Sequence, residues 1–303
     1  DVIIRTAQST DKPIITSFMG EKRVRPAIDK LKKASIPNFS YPEIAVKAFK
    51  RLSDYRAWRD VTQEEVPAVW YNFDSAHETI TSILRSGVYQ IGEEEAMQIL
   101  IYYGFQFPKH ALARTSREAA QMASKIGFPV VMKISSPDIL HKTEAGLIVL
   151  NIGDGNALRN AWSELERRVK DHGAGIHFRG ILLEKMLPAP LLEVIVGAVY
   201  DAPFHKIMFG LGGIWVEALK DTSTRLAPLT AADAEEMLTE IKAAKLLTGL
   251  RGRPAADREA LIKALLAVST MVSDLSDLIA EVDLNPLMVY PQGVYSVDAL
   301  ISL

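Results

Sequence analysis

The sequence contains no cysteine, no excess of basic charge and no long hydrophobic run. Without cysteine among its 303 residues, the chain forms no disulfide or thiolate metal site; this agrees with a reducing compartment, and we expect the cytoplasm. The 35 Lys and Arg against 37 Asp and Glu give a net charge of −2, which provides no basic field for nucleic acid. No apolar run approaches the roughly 18 residues that span a bilayer, and no signal-peptide pattern is visible. We therefore expect small, soluble partners, with no nucleic acid and no membrane.

The first sixty residues have the pattern of an α/β unit. An apolar, β-branched run at 12–19 is followed by a helical pattern, a short strand and a second helical pattern. This order predicts a parallel sheet, but sixty residues are too few for a complete doubly wound domain. We expect residues 1–60 to be the C-terminal part of such a domain, and the chain, which opens without Met, to be a fragment or a processed subunit. Residues 61–90 show no sustained period and are predicted to be a connector.

From residue 91 the pattern mixes helices with strands that are largely antiparallel. Thr115 and Thr230 each begin a capping box, which predicts a helix directly after each of them. Amphipathic helices are predicted at about 155–171 and 257–275, with strand-like segments between them and at the C-terminal end. The predicted class for this part of the chain is α+β.

Two charged residues lie in otherwise apolar strands. Lys133 ends "PVVMK", where its ammonium must reach solvent or bind an anion such as a nucleotide phosphate. Glu193 lies inside "LLEVIV", where a carboxylate is costly unless it has partners such as ribose hydroxyls. A solvated lysine at a strand end, and a carboxylate paired with a structural Arg or Lys, are the alternatives that remain open at this point.

Two further segments carry groups suited to a nucleotide and its metal. In "ILLEKML", an extended backbone at Glu184 and Met186 can offer amide and carbonyl groups to an adenine edge. Asn285 in "VDLNP" and Asp298 in "SVDAL" lie on or beside strands joined by the short turn "YPQGVY". Two hard oxygen ligands from adjacent strands suit Mg²⁺, although each residue taken singly is more often a turn or cap residue.

The glycine-rich stretch "FGLGG" at 209–213 is neither a Walker loop nor a dinucleotide fingerprint, because no helix start follows it. It is predicted to allow close backbone packing near a ligand, with Glu217 in "WVEAL" as a supplementary site carboxylate. Arg225 in "RLAPL" has two equally supported interpretations, which are a contact with phosphates and the capping of a loop.

Several motifs occur in the order found in a known family. Residues 91–303 resemble the ATP-grasp domain of the ADP-forming acyl-CoA synthetases in "GFPVVMKISSPDILHKTEAG", "ILLEKML", "LEVIVGAVYD", "FGLGGIWVEALKD", "RLAPLT", "RGRPAADREAL" and "EVDLNPLMV". Residues 1–60 resemble the end of the flavodoxin-like ligase domain of the same enzymes. The resemblance implies a two-lobed ATP-grasp fold that binds ATP or ADP with Mg²⁺, and CoA in the complete enzyme. The residues it implies at the nucleotide are Lys133, Gly146, Glu184, Met186, Glu193, Glu217 and Arg225, with Asn285 and Asp298 as metal ligands.

A histidine, His141, lies in the polar loop 135–146, which the resemblance places over the triphosphate. Its imidazole is substantially neutral near pH 7 and therefore nucleophilic. The resemblance implies that His141 relays a phosphoryl group from a histidine of the ligase part to ADP, a role that a lone histidine in an arbitrary loop rarely has. The chain departs from the family at Leu147, where a second glycine is common after Gly146, and at Leu300, where an Arg is common.

These observations predict the nucleotide-binding, phosphoryl-transfer part of an acid–thiol ligase that catalyses acyl-CoA + ADP + phosphate ⇌ carboxylic acid + CoA + ATP. The expected partners are upstream CoA-binding and ligase domains or an alpha subunit, a small carboxylic acid or acyl-CoA, and an oligomeric assembly. One alternative is a carboxylate–amine ligase of the same fold, which needs no carrier histidine. Another is a regulatory module, as in protein acetyltransferases that carry a degenerate synthetase-like region.

Overall fold

The computed structural model describes residues 1–60, 71–85, 87, 91–136, 138, 145–171, 177–213, 221–249 and 252–303. Contacts between Cα atoms divide the chain into two compact units, Asp1–Gln63 and Glu64–Leu303. The first unit contains a small parallel sheet, and the second contains two antiparallel sheets. Within these described ranges, no helix is long and apolar enough to cross a membrane.

The first unit consists of short strands and longer helices in alternation. Its elements are α1 (Val2–Gln8), β1 (Thr16–Ser17), α2 (Glu21–Lys33), β2 (Asn38–Phe39) and α3 (Pro42–Asp60). The two strands pair in parallel, with Thr16 opposite Asn38. The Asn38 side chain reinforces this pairing because its Oδ1 accepts the Phe18 N–H at 3.0 Å. The predicted order of strand, helix, strand and helix is therefore confirmed, and membership of a flavodoxin-like ligase domain stays a prediction.

Several helices of the second unit begin at residues whose side chains cap them. The helices of this unit are α4 (Phe73–Arg85), α5 (Glu93–Tyr102), α6 (Ser116–Ile126), α7 (Gly155–Asp171), α8 (Ala231–Glu240), α9 (Ala244–Leu247) and α10 (Arg258–Asp274). Thr115 Oγ1 accepts the Glu118 N–H at 3.2 Å before α6. Thr230 and Asp233 cap each other reciprocally at the start of α8. The capping box at Thr230 is confirmed, whereas at Thr115 only the threonine half forms, because the Glu118 carboxylate accepts the Arg114 N–H. Both threonine caps satisfy amide groups that have no partner inside the helix.

Helix α4 corrects one prediction. It lies in the segment 61–90, which we predicted to be a connector without a sustained period, and that prediction is wrong for residues 73–85. Ala76 and Ile80 of α4 are fully buried in the larger apolar core together with residues of α5. Their spacing of four residues places both side chains on one face of the helix, and burial of that face stabilises the helix.

The smaller sheet of the second unit is antiparallel, and its strand order is β3-β6-β4-β5. Its strands are β3 (His110–Ala113), β4 (Val130–Ser135), β5 (Ile148–Ile152) and β6 (Gly180–Lys185). All six residues of β4 are buried, because β4 is an interior strand and apolar side chains cover it. One of the two apolar cores forms here between the sheet and helices α6 and α7, with Met132, Leu147 and Trp162 among its members.

The larger sheet has the order β11-β10-β7-β8-β9, and β12 also pairs with β10. Its strands are β7 (Leu192–Asp201), β8 (Phe204–Leu211), β9 (Thr222–Leu226), β10 (Glu281–Val289), β11 (Val294–Ser296) and β12 (Leu300–Ser302). The register between β10 and β7 shifts between Leu284 and Leu287, so the chain is irregular at Asn285. Such irregularities redirect side chains and are common beside functional sites. The predicted α+β class is confirmed by this mixture of helices and antiparallel sheets.

Candidate functional site

A cavity of about 280 Å³ is lined by both sheets of the second unit. This volume is close to the lower end of the roughly 300–1,000 Å³ that is usual for small-molecule sites. Five residues predicted from the sequence line it, namely Lys133, Glu184, Met186, Asn285 and Asp298. They lie up to 165 positions apart in the chain, and the fold brings them together in the lining of one cavity.

Lys133 enters the cavity from β4 and is only 5% exposed. Its Nζ lies 3.2 Å from Glu93 Oε1 and 3.0 Å from Glu184 Oε2, and it also donates a hydrogen bond to the Val297 carbonyl. Burial alone would lower the pKa of Lys133, but the charges of Glu93, Glu184 and Asp298 outweigh burial and raise this pKa above its ordinary value. The ammonium therefore stays charged inside the protein, which rules out the solvated strand-end lysine.

Glu184 lies on β6 and is 1% exposed. Its Oε2 binds Lys133, whereas its Oε1 is buried and has no hydrogen-bond partner. Burial raises the pKa of Glu184, and Lys133 partly opposes that increase. A buried polar atom without a partner is rare in folded proteins and is often completed by a ligand or water. Glu184 therefore offers a hydrogen-bond acceptor to a molecule in the cavity.

The backbone beside Glu184 is less available than the sequence suggested. The Met186 N–H donates to the Pro129 carbonyl at 3.0 Å, and the Lys185 N–H donates to the Lys109 carbonyl at 2.8 Å. An adenine in the cavity would therefore find the Met186 amide already engaged. Glu184 Oε1, in contrast, has no hydrogen-bond partner within the protein.

Asn285 and Asp298 supply further oxygen atoms to the lining of the cavity, and the charge of Asp298 also acts on Lys133. Asn285 Oδ1 lies 3.4 Å from the Gly213 N–H, and Asp298 Oδ1 accepts the Ala299 N–H at 3.0 Å. No cluster of three or more His, Asp or Glu that could hold a metal ion occurs within the described ranges. One carboxylate and one amide fit Mg²⁺, because this ion keeps several waters and also binds phosphate oxygens.

Glu193 lies on β7, opposite Met288 of β10, and it does not line the cavity. Its carboxylate lies against Gly213, where an added Cβ would be 2.5 Å from Glu193 Oε2. Because the Gly213 amide also approaches Asn285, Gly213 connects Glu193 to the predicted metal side of the site. A larger residue at position 213 would displace the Glu193 carboxylate.

Arg225 lies on β9 and does not line the cavity. Its guanidinium donates to both carboxylate oxygens of Glu240, at 2.9 and 2.5 Å, and to Glu236 at 3.1 Å. These bonds join β9 to helix α8. The guanidinium is thus engaged by carboxylates of α8, and the structure shows neither the loop cap nor a phosphate contact as its role.

His141 and Glu217 lie outside the described residues, but both ends of the loop that contains His141 are described. At one end, the Asp138 carboxylate accepts the His177 N–H at 2.6 Å. At the other end, the Gly146 carbonyl accepts a hydrogen bond from Arg168 of α7. Gly146 has a φ of +67°, a conformation that favours glycine. Gly146 thus has an anchoring role at the base of the loop.

Sequence reasoning did not identify Glu93, Arg168 or His177. Glu93 begins α5 in a run of three glutamates, which is the pattern of acidic residues that favour a helix N-terminus. Its contact with Lys133 spans 40 positions, and no local pattern signals such a contact. Arg168 is part of the polar face of an amphipathic helix, and no local pattern in the sequence indicates its hydrogen bond to Gly146.

A second cavity of about 340 Å³ lies beside helix α10. Its lining includes Tyr71, Tyr103 and Phe105 together with alanines of α10, and it is mostly apolar. Lys263 reaches this lining but already binds Glu259 at 2.8 Å. Since its polar groups do not converge as they do around Lys133, this cavity is the poorer candidate for a charged ligand.

The ATP-grasp domain family matches residues 82–303 of the chain. The acetate–CoA ligase [ADP-forming] II subunit beta of Pyrococcus furiosus is 45% identical over 227 residues, which cover 74% of this chain and 96% of that subunit. The acetate–CoA ligase [ADP-forming] I of Archaeoglobus fulgidus is 37% identical over 299 residues, which cover 97% of this chain and 43% of that protein. The chain thus spans nearly all of one relative and less than half of the other.

A solved structure of the dinucleotide-forming acetyl-coenzyme A synthetase 1 of Ca. Korarchaeum cryptofilum, in complex with coenzyme A and Ca-AMPCP, is also similar. The two share 38% identity with a TM-score of 0.72, over 75% of this chain and 99% of that one. The portion of the chain outside this match is about one quarter of its length.

Proposed function

Because the chain belongs to the ATP-grasp family, among relatives of the ADP-forming acetate–CoA ligase beta subunits, we propose that it is the nucleotide-binding, phosphoryl-transfer part of an ADP-forming acyl-CoA synthetase. The ATP-grasp fold and the family expected from the motifs are confirmed. The observation that carries the proposal is the cavity in which Lys133, Glu184, Asn285 and Asp298 meet. The reaction would interconvert acyl-CoA, ADP and phosphate with a carboxylic acid, CoA and ATP.

In this proposal different residues of the cavity bind different parts of the nucleotide. The charged Lys133 ammonium binds a phosphate oxygen, and the free Oε1 of Glu184 accepts a hydrogen bond from the base or the ribose. Asn285 and Asp298 would hold Mg²⁺, which neutralises phosphate charge when it is bound. Phosphoryl transfer depends chiefly on positioning and on charge stabilisation, and a buried lysine with fixed partners is suited to both.

His141 is proposed as the phosphoryl carrier. A ring nitrogen of His141 receives the phosphoryl group from an upstream phosphohistidine, and a terminal phosphate oxygen of ADP then takes it, so that a P–N bond breaks and a P–O bond forms. In a structure of the Korarchaeum synthetase with coenzyme A and Mg-AMPPCP, a phosphohistidine segment points towards the nucleotide binding site. The bonds from Arg168 to Gly146 and from His177 to Asp138 would fix the base from which this loop reaches.

We also propose the partners that such an enzyme requires. A relative named as a subunit beta implies a partner subunit or further domains, and residues 1–60 are proposed to belong to the ligase part of that assembly. The small carboxylic acid, the acyl-CoA and an oligomeric assembly are part of the same proposal, as is a cytoplasmic location.

Calorimetric titration with ADP, with and without Mg²⁺, tests the nucleotide site in this chain. We expect Mg-dependent binding that is lost when Asn285 and Asp298 are both replaced by Ala. Asp201→Ala, at an exposed carboxylate on the larger sheet, is the matched control and should bind like the wild type. Failure of the wild type to bind at millimolar Mg-ADP would favour the regulatory-module alternative. A large loss of thermal stability in the double variant would show that the pair is structural.

A further inference from the structure

The Lys133 ammonium is fully engaged by the protein. An ammonium has three N–H donors, and three acceptors surround this one, namely Glu93 Oε1, Glu184 Oε2 and the Val297 carbonyl. Glu93 comes from helix α5, Glu184 from strand β6 and Val297 from the connection between β11 and β12. A phosphate oxygen that binds Lys133 must therefore replace one of these three acceptors.

The position of the cavity separates the three acceptors into two groups. Glu184 and Val297 line the cavity beside Lys133, so a ligand can reach the bonds they make. Glu93 does not line the cavity, and its side chain is only 2% exposed. A ligand can therefore exchange with a cavity-side acceptor, whereas the Glu93 carboxylate stays behind the ammonium.

Burial makes the Glu93 contact consequential. The side chains of Lys133 and Glu93 are 6% and 2% exposed, so their attraction is little screened by solvent. Hydrogen bonds between charged groups are stronger than those between neutral groups, and they also orient the two groups. Without the Glu93 charge, the ammonium would be held by cavity-side partners alone, which are the partners that a phosphate displaces.

We propose that Glu93 is a positioning residue of the nucleotide site, which holds the Lys133 ammonium from the side opposite the cavity while a phosphate oxygen replaces a cavity-side acceptor. This inference rests on the proposed nucleotide function. Glu93 touches neither the nucleotide nor the metal in this arrangement, and it acts on the phosphate only through Lys133.

The same helical turn provides a matched control. Glu95 lies two residues after Glu93, and its Oε2 binds Arg179 Nη1 at 2.6 Å. The Glu95 and Arg179 side chains are 34% and 31% exposed, and neither residue lines the cavity. Glu95→Gln therefore removes the same charge from the same turn and leaves the Lys133 ammonium with its three acceptors.

The test measures the dissociation constants of Mg-ADP and of adenosine for the wild type, Glu93→Gln and Glu95→Gln. We expect Glu93→Gln to raise the dissociation constant of Mg-ADP about tenfold, which corresponds to the loss of one hydrogen bond to a charged group. Adenosine has no phosphate to meet Lys133, so its affinity should change less than about twofold. Glu95→Gln should leave both ligands within about twofold of the wild type.

The double variant Glu93→Gln/Lys133→Met gives an independent readout. If Glu93 acts through Lys133, its replacement should change Mg-ADP binding less than about twofold once Lys133 is Met. Equal weakening of adenosine and Mg-ADP by Glu93→Gln, no weakening of either, or the full tenfold effect in the Lys133→Met background would each overturn the inference. Absence of Mg-ADP binding by the wild type would overturn the proposed function and this inference together.

Discussion

Leu147 stands where the family commonly has a second glycine. Replacement of Leu147 by Ala tests whether its buried side chain stabilises the protein at the end of the loop that contains His141. Leu147 is fully buried in the core formed by the smaller sheet and helices α6 and α7. Its carbonyl accepts the Ile134 N–H at 3.1 Å, so the residue joins the loop end to β4 by both its side chain and its backbone. The side chain at position 147 is thus a core side chain directly after Gly146.

The expected loss in the free energy of unfolding follows from the burial of the Leu147 side chain. Leu→Ala removes three carbon atoms from a site with no exposure, which at about 0.8 kcal/mol for each group lowers the free energy of unfolding by about 2.4 kcal/mol. The cavity left behind adds to this loss, and buried Leu→Ala variants typically lose about 2–5 kcal/mol. We therefore expect Leu147→Ala to lose about 3 kcal/mol. Leu150→Ala, three residues later and 56% exposed on β5, should lose less than about 0.5 kcal/mol.

Urea unfolding followed by fluorescence and circular dichroism measures both losses. Trp162 is 3% exposed and belongs to the same core as Leu147, so its emission reports on this part of the molecule. Because the chain has two units, the two probes must give coincident transitions for the analysis to hold. A loss below about 1 kcal/mol in Leu147→Ala, or an equal loss in Leu150→Ala, would refute the reasoning from burial.

Three further predictions concern single side chains. His141→Asn should change the free energy of unfolding by less than about 0.5 kcal/mol and, in the complete enzyme, abolish ATP formation from acyl-CoA; normal ATP synthesis by this variant would falsify the relay. Thr230→Ala should cost about 1 kcal/mol in denaturant unfolding, because the capping bond to Asp233 is lost, and an unchanged midpoint would contradict the cap. Backbone donors from Gly293 and Ala260 lower the pKa of Asp257, so its contribution is present above about pH 4 and is lost as the pH falls through the lowered value. The stability difference between the wild type and Asp257→Ala should therefore shrink in acid, and a difference that grows there would contradict this sign.

The sequence allowed those parts of the fold to be predicted that depend on local patterns. Capping residues marked the starts of α6 and α8, and apolar runs marked most strands of both sheets, whereas the polar strand β9 was not predicted. Helix α4 was missed because its apolar face, with Ala76 and Ile80, is short and lies between segments without a clear period. Its stability comes from packing in the core, which a local pattern does not reveal.

The candidate site could be predicted only as a set of separate residues. Lys133 was recognisable as a charge in an apolar strand, whereas Asn285 and Asp298 were recognisable only as a pair on neighbouring strands and through the motifs that contain them. Their meeting in one cavity depends on sheet order, and so does the contact of Lys133 with Glu93. Arg225 belongs to one of the motifs, yet its guanidinium pairs with carboxylates of α8 that no motif includes. Its partners therefore could not be predicted from the motif either.

The irregularity in β10 limits how the chain length can vary. Because side chains alternate along a strand, an insertion of one residue before Asn285 would turn the predicted metal ligand to the opposite face of the sheet. The turn at 290–293 tolerates longer insertions than the strand, since Pro291 and Gln292 are exposed. An affinity tag or a fluorescent reporter placed between those two residues should therefore be tolerated, whereas the same addition inside β10 would scramble the sheet. Homologous chains are accordingly expected to differ in length at the turn and to keep a constant length in the strand.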